Sequence, residues 1–475
     1  MSRCIKSFDE FKREISKKKV AVLGLGISNM PLINFLNNIG VKNIIAFDIK
    51  DDEDTVKKVN DMISRGLVSD YHIGKDYLKY LPGCADVIFK TPIVRFDTPE
   101  LLEAESRGAV VTSEIEVLMQ LCPCKVFGVT GSDGKTTTTT VLSKLLSESG
   151  KRKVWVGGNI GTPLLSYLPE MSADDIVVLE LSSFQLMNIK VSPDVSIITN
   201  ISPNHLDVHK SYDEYIDAKA NIFRLQDESG TVILNYDNKI TKAFSDNVRG
   251  SVKFFSYLNR VENGAWYENG KIYYSNGSKC FEIMDRSDIV LLGKHNVENY
   301  LAAITAAFED VSEDDIKRVA GSFTGVAHRM QFIRELEGVK YYNSSIDSSP
   351  NRTINALSVF DKRNIVLIAG GKDKNIPYDE IGSSIVDKVK VLILTGPTAD
   401  KIEKAVKDEF DRRKCECDIK IFYCTSYIEA VKNAYNNAEN GDCVVLSPAS
   451  TSFDMFKNFE DRGNRFIEFV NKLPY

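Results

Sequence analysis

The sequence predicts an α/β protein of three domains, each built on a mainly parallel sheet. Apolar strand patterns alternate with helical patterns in three successive series, which is typical of parallel sheets covered by helices. A chain of 475 residues is also too long for a single hydrophobic core. We expect domains at 1–120, 121–326 and 327–475, with each boundary set by the start of a new series.

Composition excludes several classes of protein. With 43% hydrophobic and 27% charged residues, the chain is typical of soluble globular proteins. Its net charge of -6 argues against nucleic acid or an anionic membrane as the main partner. No apolar run approaches the roughly 20 residues of a membrane helix, and the charged N-terminal segment lacks the apolar centre of a signal peptide. The nine cysteines show no disulfide spacing, so we expect a cytoplasmic protein.

The first domain begins with a strand, a helix and a second strand, in "KKVAVLGLG", "SNMPLINFLNNIG" and "NIIAFD". The turn "GLGISN" partly matches the dinucleotide fingerprint G-x-G-x-x-G, and Asp48 ends the following strand. Asn29 replaces the third glycine, which argues against a standard NAD site. Two interpretations stay open: a diphosphate site at the helix N-terminus, or a tight turn without a ligand. The domain is predicted to be Rossmann-like.

The second domain carries "GVTGSDGKTTTTT" between a strand and a helix. Val129 replaces the first glycine of the phosphate-loop pattern G-x-x-x-x-G-K-[ST], whereas Gly131 and Gly134 would let backbone N–H groups converge on an anion. Lys135 would reach the terminal phosphates, and the Thr136 hydroxyl could bind Mg²⁺. The alternative is a threonine-rich turn, because threonine is a poor helix former. The position between strand and helix favours a P-loop-type domain with a parallel or mixed sheet.

Polar residues follow two later strands of this domain. Glu180 closes "DIVVLE", where it could serve a Mg²⁺ ion or be a solvated strand end. "NISPNHLDVH" groups His205, Asp207 and His209, which could bind metal or act in catalysis, or could be ordinary core or surface residues. The clustering favours a metal or catalytic role for at least one of them.

Lys219 lies within the apolar stripe of a predicted helix, in "SYDEYIDAKANIF". Ser211 and Glu214 form a capping box that begins this helix. The lysine could extend its amine to water. If it cannot, desolvation lowers its pKa and leaves a neutral amine, which can react with CO₂ to give a Mg²⁺-binding carbamate.

Two further groups precede or begin the third series. Asn296 and Asn299 stand at a helix start, where their amides could bind a purine edge, and Arg329 could contact a transferred phosphate. The alternatives are helix capping and packing between domains. The strands "KYYNSS", "NIVLIAGG", "KVLILTG" and "CVVLSPAS" then predict a Rossmann-like C-terminal domain.

These segments, taken together and in order, resemble the muramyl ligase family, the ATP-dependent amide ligases of peptidoglycan precursor assembly. The resemblance is carried, in chain order, by "TGSDGKTTTT", "GGNIGTPLL", "ELSSFQL", "NISPNHLDVH", "AKANIF", "GKHNVEN", "FTGVAHR" and "SPASTSFDMFKNFEDRGNRF". In this family the loop lacks the first glycine, so Val129 is the expected residue. The second, third and last of these segments are similar to the branch that adds D-glutamate.

The resemblance implies a three-step reaction. ATP phosphorylates the alanyl carboxylate of UDP-N-acetylmuramoyl-L-alanine, the amine of D-glutamate attacks the acyl phosphate, and a tetrahedral intermediate collapses to amide and phosphate. Mg²⁺, expected as two ions, and cationic side chains would offset the charge of the meeting anions. The resemblance further implies a carbamate on Lys219, and we expect a monomer that acts in cell-wall biogenesis.

The resemblance also assigns roles to matching positions. The catalytic residues would be Lys135, His205, Lys219 and Arg329. The metal ligands would be Thr136, Glu180, His205 and Lys219. ATP would contact Gly131, Ser132, Asp133, Gly134, Lys135, Thr136, Thr137, Asn296, Asn299 and Arg329. The UDP substrate would contact Gly26, Ile27, Ser28, Asp48, Asn159, Ser182 and Ser183. D-glutamate would contact Ser348, Lys374, Ser452 and Phe459.

The chain departs from the family pattern at two segments. Where the family commonly reads N-D-S-K-A-T-N, the chain reads "NSSIDSSPN", with Ser344 in place of the acid and Ile346 in place of the lysine. Arg352 or Lys372 could replace the missing cation. "KTPIV" replaces a Ser-Pro-Gly turn expected near the UDP sugar. Three alternatives therefore stay open: a related muramyl or folylpolyglutamate-type ligase for another amino acid, an ATP-binding regulator without turnover, and a Rossmann dehydrogenase.

Overall fold

The computed structural model describes residues 7–26, 29–205, 208–360, 362–374 and 376–474. The chain forms two compact units, one of Met1–Asp288 with Val297–Val319 and one of Ile289–Asn296 with Ala320–Tyr475. The first unit contains two sheets and the second contains one. The predicted α/β class is confirmed, since most strand pairs are parallel and helices separate them along the chain. Each sheet lies within one of the three predicted segments, while the boundaries themselves stay a prediction.

The N-terminal sheet is entirely parallel. Its strands are β1 (Lys19–Leu23), β2 (Asn43–Asp48), β3 (Asp70–Ile73), β4 (Val87–Phe89) and β5 (Val110–Thr112). The helices of this region are α1 (Phe8–Ile15), α2 (Asn29–Asn38), α3 (Glu53–Ser64), α4 (Pro99–Ser106) and α5 (Glu114–Leu121). The strand order is β3-β2-β1-β4-β5, so the chain crosses from one side of β1 to the other after β3. In such sheets the carboxyl ends of the strands, here the end of β1, form the usual ligand edge.

The second sheet is mixed. Its strands are β6 (Lys125–Thr130), β7 (Val154–Gly158), β8 (Ile176–Glu180), β9 (Val195–Ile198), β10 (Thr231–Asn235), β11 (Ser251–Ser256), β12 (Asn263–Glu268), β13 (Lys271–Asn276) and β14 (Cys280–Asp285). The helices that follow in sequence are α6 (Lys135–Glu148), α7 (Ser183–Leu186), α8 (Tyr212–Arg224), α9 (Lys239–Ala243), α10 (Lys294–Ala307) and α11 (Glu313–Ser322).

The order of this sheet explains how its polar segments meet. The strands run β14-β13-β12-β11-β10-β9-β6-β8-β7, with antiparallel pairing only from β12 to β14. β6 pairs with both β8 and β9 in parallel. Three polar segments therefore lie at the same edge of the sheet, at the ends of three adjacent strands: the phosphate-loop candidate after β6, Glu180 at the end of β8 and the turn after β9.

The third sheet forms the centre of the second unit. Its strands are β15 (Gln331–Leu336), β16 (Val339–Asn343), β17 (Ile365–Gly370), β18 (Val389–Thr395), β19 (Lys420–Cys424) and β20 (Cys443–Leu446). Its helices are α12 (Pro350–Leu357), α13 (Ile381–Lys388), α14 (Ala399–Arg413), α15 (Tyr427–Asn437) and α16 (Phe459–Asn471). The order is β15-β16-β20-β17-β18-β19, and only β15 runs antiparallel to its neighbour.

The third sheet has an apolar core on each face. Along β17, Leu367 packs in one cluster, while Val366 and Ile368 pack in another, as the alternation of side chains in a strand requires. All six residues of β17 are buried, which explains its continuous apolar pattern. Within the described ranges, no helix has the length and apolar content needed to cross a membrane.

Candidate active site

The loop between β6 and α6 depends on two glycines. Gly134 adopts a φ of 79° as the residue before α6, and a Cβ there would lie 2.3 Å from Asn299 Oδ1. At Gly131, φ is 151° and a Cβ would lie 1.8 Å from Thr199 Oγ1. No larger residue fits at either position without displacing a neighbour. The backbone thus leaves the strand and enters the helix along the tight path that phosphate loops require.

Helix α6 begins at Lys135 although five threonines follow. Thr137, Thr138 and Thr139 are buried, and the Thr138 hydroxyl donates to Asn299 Oδ1 at 3.1 Å. Packing of these side chains outweighs their low helix propensity. The interpretation of this stretch as a threonine-rich turn is therefore wrong.

Neighbouring segments fix the loop. The Ser132 hydroxyl lies 2.9 Å from the Tyr215 hydroxyl of α8 and donates to Ser202 O at 2.9 Å. The Asp133 N–H donates to Asn200 Oδ1 at 3.0 Å. Lys135 Nζ donates to the carbonyls of the loop itself, at Gly131 and Ser132, each at 2.9 Å. The turn after β9 and the helix α8 therefore hold the loop from two sides.

Lys219 is buried beside this loop. Only 1% of the residue is exposed, and its Nζ donates to Gly131 O at 2.7 Å. Burial, and secondarily the charge of Lys135, holds the pKa of Lys219 well below its ordinary value. The alternative in which this lysine extends its amine to water is therefore wrong. The site favours a neutral, nucleophilic amine at this position.

Glu180 lies at the end of β8 and is 2% exposed, so it is not a solvated strand end. Its Oε1 accepts a hydrogen bond from Asn159 Nδ2 at 2.9 Å, and its carbonyl accepts one from the Asn159 N–H at 2.8 Å. Its Oε2 is buried and, among the described residues, has no hydrogen-bond partner. An unmatched buried carboxylate oxygen costs about 1–3 kcal/mol. A cation bound there would satisfy it.

The metal-ligand prediction can be compared with this geometry. In the described part of the chain, no group of three or more His, Cys, Asp or Glu side chains is arranged to hold a metal. A site at Glu180 would therefore need ligands of other types, such as the Thr136 hydroxyl, phosphate oxygens or a carbamate on Lys219. The unmatched Oε2 is the feature that fits a hard cation such as Mg²⁺.

The two histidines after β9 differ in their surroundings. His205 has a left-handed backbone, with φ of 54°, and its ring lies 5.2 Å from that of Phe184. His209 is buried, and its Nε2 lies 3.0 Å from the hydroxyl of Ser183, a predicted substrate contact. Burial lowers the pKa of His209. Asp207 lies outside the described residues.

The helix that carries Lys219 is tied to the N-terminal sheet region. Ser211 Oγ accepts the Glu214 N–H at 3.1 Å, as the predicted capping box requires. The Glu214 carboxylate does not complete that box: it accepts the Lys210 N–H, one residue before Ser211, at 2.7 Å and binds the Arg95 guanidinium at 2.7 Å. Arg95 Nη1 also donates to Val208 O at 3.0 Å. No local pattern predicts the contact between Arg95 and Glu214, since the two residues are far apart along the chain.

The predicted UDP-substrate residues of the first domain lie at the turn after β1. Asp48 Oδ2 accepts the Leu25 N–H at 2.7 Å, and Asn29 Nδ2 donates to Leu23 O at 2.7 Å. Asn29, which replaces the third glycine, therefore closes the turn. Gly26 accepts a backbone hydrogen bond from Met30 at 3.3 Å. Two other predicted residues, Ile27 and Ser28, lie outside the described residues.

A cavity of about 50 Å³ adjoins this turn. Its lining brings Asn29 of the turn together with Lys90 of "KTPIV" and with Gly158, next to Asn159. Gln185 also lines it, and the Gln185 side chain completes a capping box with Ser182. Among the described residues, the lining therefore contains neighbours of the predicted substrate residues, but none of the predicted substrate residues themselves.

The second unit carries the predicted D-glutamate residues. Lys374 Nζ lies 3.4 Å from Ser348 Oγ, so these two contacts meet. Ser452 is buried, and Phe459 begins α16 with its ring 6.1 Å from that of His328. The residue after His328 is Arg329, the predicted phosphate contact.

The predicted adenine contacts differ in their partners. Asn296 Nδ2 donates to Leu292 O at 2.7 Å in the second unit. Asn299 belongs to the first unit, where it meets the phosphate loop.

Three residues of the second unit were missed as functional candidates. Arg462 is 1% exposed and donates to Ser345 O at 2.8 Å and Ser450 O at 3.0 Å. Asp347 accepts the Ser447 hydroxyl at 2.8 Å, and burial raises its pKa to about 6. Ser344 was noted only as a departure. One sequence feature could have indicated Asp347: it is an acid three residues after Ser344, the position at which the family commonly has its acid.

Comparison with known proteins gives consistent matches. Residues 129–307 match the family model described as Mur ligase middle domain, and residues 328–450 match that described as Mur ligase, glutamate ligase domain. A protein of Ruminiclostridium cellulolyticum named UDP-N-acetylmuramoylalanine--D-glutamate ligase is 54% identical over 98% of this chain and 99% of its own length. Proteins of the same name from Acetivibrio thermocellus and Clostridium tetani are 52% and 47% identical, over 98% of this chain and 98% and 100% of their lengths.

Solved structures resemble the fold at low sequence identity. A UDP-N-acetylmuramate-alanine ligase from Thermotoga maritima has a TM-score of 0.57 at 18% identity and covers 96% of this chain and 99% of its own. A MurF ligase from Thermotoga maritima, solved in complex with ADP, has a TM-score of 0.53 at 18% identity and covers 97% and 96%. At such identity these two structures support the fold alone.

Proposed function

The chain belongs to the Mur ligase family, and from that premise we propose that it is the ATP-dependent ligase that adds D-glutamate to UDP-N-acetylmuramoyl-L-alanine. The observation that carries the substrate assignment is full-length identity of 47–54% to relatives named for this reaction. The reaction belongs to peptidoglycan precursor synthesis, and hence to cell-wall biogenesis and cell division. We propose a cytoplasmic monomer.

The loop before α6 would bind the phosphates of ATP. Gly131 and Gly134 keep the loop backbone free of side chains, and the N-terminus of α6 favours an anion. Lys135 would exchange its loop carbonyls for phosphate oxygens when ATP binds. Ser132, Asp133 and Thr137 belong to the same turn. Asn299, at the loop, and Asn296 would contact the adenine.

The chemistry requires activation of a carboxylate. A carboxylate is a poor electrophile until one of its oxygens becomes a good leaving group, and phosphorylation by ATP supplies that group. The D-glutamate amine then forms the C–N bond, the C–O bond to phosphate breaks, and the amine loses its proton. Cationic side chains must stabilise the negative charge that gathers in this step, which is the role proposed for Lys135 and Arg329.

Mg²⁺ would be held by Glu180, the Thr136 hydroxyl, His205 and the modified Lys219. The support is the buried Oε2 of Glu180, which has no hydrogen-bond partner in the described part of the chain. When bound, the metal supplies positive charge at the phosphate oxygens. Asn159 would keep the Glu180 carboxylate oriented through its contact with Oε1.

A carbamate on Lys219 would supply a second anionic ligand for Mg²⁺, besides the Glu180 carboxylate. The amine is buried 2.7 Å from Gly131 O, and burial holds its pKa well below the ordinary value, which favours the neutral form. Reaction of a neutral amine with CO₂ replaces a buried cation-forming group by an anion, which suits a site that must hold cations.

The UDP substrate and D-glutamate would contact separate sets of residues. The UDP substrate would contact Gly26, Ile27, Ser28, Asp48, Asn159, Ser182 and Ser183. The support is indirect: a nearby cavity is lined by Gly158, which precedes Asn159, and by Gln185, the capping partner of Ser182. D-glutamate would contact Ser348, Lys374, Ser452 and Phe459, supported by the approach of Lys374 to Ser348.

The test is phosphate release from ATP-Mg²⁺ with UDP-N-acetylmuramoyl-L-alanine and a panel of D- and L-amino acids, with amide product followed by mass spectrometry. We expect product with D-glutamate and none with L-glutamate. Product with a different amino acid would overturn the substrate assignment. ATP binding without amide formation from any amino acid would identify a nucleotide-binding regulator instead.

A further inference from the structure

Arg329 lies between two residues in an unfavourable backbone conformation. His328 has a φ of 61° and Met330 a φ of 41°, both in the left-handed region that residues with a Cβ rarely adopt. Surrounding contacts must therefore hold this segment. The segment carries Arg329, for which a phosphate contact is proposed above.

The contacts come from the segment that departs from the family pattern. The Met330 N–H donates to Ser344 Oγ at 3.1 Å, and the Ile346 N–H donates to His328 O at 3.1 Å. Ser344 is 1% exposed, so water does not compete for this hydroxyl. The left-handed backbone on both sides of Arg329 is thus bonded to residues 344 and 346.

A second hydrogen bond fixes the ring of His328. Asn343 Nδ2 lies 3.0 Å from His328 Nδ1, and a Cβ on Gly463 of α16 would lie 2.2 Å from that nitrogen. The absence of a side chain at Gly463 makes room for the ring. The Arg329 segment is therefore built against the end of β16 and the side of α16.

Asp347 explains why a serine suits position 344. The Asp347 N–H donates to Ser344 O at 3.0 Å, and its buried carboxylate accepts the Ser447 hydroxyl at 2.8 Å. Burial raises the pKa of this carboxyl group by more than Ser344, Ser447 and the positive charges of Arg352 and Arg329 lower it. An aspartate at 344 would add a second carboxylate three residues before the first, whereas the serine hydroxyl accepts the Met330 N–H without adding a charge.

We propose that Ser344 is a positioning residue for Arg329: its hydroxyl accepts the Met330 N–H and so holds the left-handed backbone of the segment that presents the guanidinium to phosphate. This inference rests on the phosphate role proposed for Arg329. In this chain the acid of the segment stands at position 347, and residue 344 supplies a hydroxyl to the arginine segment.

The experiment compares the affinities of the full chain for a non-hydrolysable ATP analogue and for ADP, by isothermal titration calorimetry. The ratio of the two affinities reports the contribution of the terminal phosphate, because ADP lacks that group. Loss of one charge-assisted contact corresponds to about a tenfold fall in affinity, so we expect Ser344→Ala to lower the ratio about tenfold. Ser344→Thr keeps the hydroxyl and should keep most of the ratio. Arg329→Ala should lower the ratio, and Ser344→Ala should then add nothing further.

A matched control separates positioning from folding. Thr305 is also 1% exposed, and its hydroxyl accepts the buried Ala265 N–H at 3.0 Å in the first unit. Thr305→Val therefore removes the same kind of hydrogen bond. Both variants should lower the thermal unfolding temperature, but only Ser344→Ala should change the ratio.

Two outcomes would overturn the inference. One is an unchanged ratio in a Ser344→Ala variant with a lowered unfolding temperature. The other is a further fall of the ratio when Ser344→Ala is added to Arg329→Ala. The proposed function fails by a different measurement, namely absence of D-glutamate-dependent amide formation by the unmodified chain.

Discussion

Replacing Lys219 by methionine tests the carbamate proposal, because it removes the buried amine and keeps most of the apolar volume. Gly131 O, which accepts from Lys219 at 2.7 Å, would keep its hydrogen bond from Lys135 at 2.9 Å. The change therefore removes the reactive nitrogen without leaving a buried carbonyl unmatched.

The selectivity of carbamate formation follows from the neutral fraction of each lysine. At pH 7.5 about one in 1000 ordinary lysine amines is neutral, because their pKa is near 10.4. Burial lowers the pKa of Lys219 well below that value, so its neutral fraction can exceed theirs by up to about three orders of magnitude. With ¹³C-bicarbonate, NMR of the unmodified chain should give one dominant carbamate signal, absent in Lys219→Met.

The same pKa shift has a consequence for stability without CO₂. Since the folded pKa is lowered, the unfolded chain binds one more proton between the folded pKa and about 10.4. Stability of the unmodified chain should therefore rise with pH in that window, by about 1.4 kcal/mol per pH unit, and Lys219→Met should lack this slope. Thermal unfolding in CO₂-free buffer at several pH values measures the difference.

The assay that links this chemistry to function is amide formation by Lys219→Ala. We expect activity to be lost, and acetate or formate to restore part of it by supplying a carboxylate. Lys144→Ala, on α6, is the control and should keep the NMR signal. A carbamate signal that survives in Lys219→Met, or full activity of Lys219→Ala without added carboxylate, would refute the reasoning.

Three further perturbations follow from the geometry. Gly134→Ala puts a Cβ 2.3 Å from Asn299 Oδ1 at a φ of 79°. Backbone strain of about 1–2 kcal/mol and displacement of Asn299 should therefore weaken ATP binding, as measured by calorimetry. An unchanged affinity for ATP would contradict the assignment of this loop to phosphate binding. Glu180→Gln keeps the contact of Oε1 with Asn159 but loses the charge, so amide formation should fall by about 100-fold and need more Mg²⁺ for half-activation. If Glu180→Gln needs the same Mg²⁺ concentration for half-activation as the unmodified chain, Glu180 is not a Mg²⁺ ligand. Burial raises the pKa of Asp347 to about 6. Between about pH 4 and 6 the folded state therefore binds one proton more than the unfolded state at this carboxyl group. The free energy of unfolding should fall by about 3 kcal/mol as pH rises through that window. In Asp347→Asn, thermal unfolding scans across that range should show a smaller pH dependence, and an equal dependence in both proteins would count against the shift.

Local sequence sufficed for the elements whose neighbours are close along the chain. Strand patterns that end in polar residues predicted β6, β8 and β9, and parallel pairing then required Glu180 and the phosphate loop to meet at one edge. The capping role of Ser211 was also predicted, since it involves the N–H of a residue three positions later. Both follow from backbone periodicity, which a sequence records directly.

Side chains whose partners come from distant segments could not be assigned in this way. Glu214 had the spacing of a capping box, but the Arg95 guanidinium, from another sheet region, takes its carboxylate. No role was predicted for Asp347, which the fold buries with its carboxylate against the Ser447 hydroxyl. Such contacts depend on which loops converge, and local patterns do not carry that information.

The sequence by itself determined the α/β class, the phosphate loop and the presence of a lysine on an apolar helix face. It left open whether that lysine reaches water or stays buried, because both fit the same helical spacing. The tertiary structure decided this: α8 packs against the loop after β6, leaves Lys219 1% exposed and gives its amine one carbonyl at 2.7 Å. The physical reason is desolvation, which depends on every atom packed around a group and therefore exists only once the chain is folded.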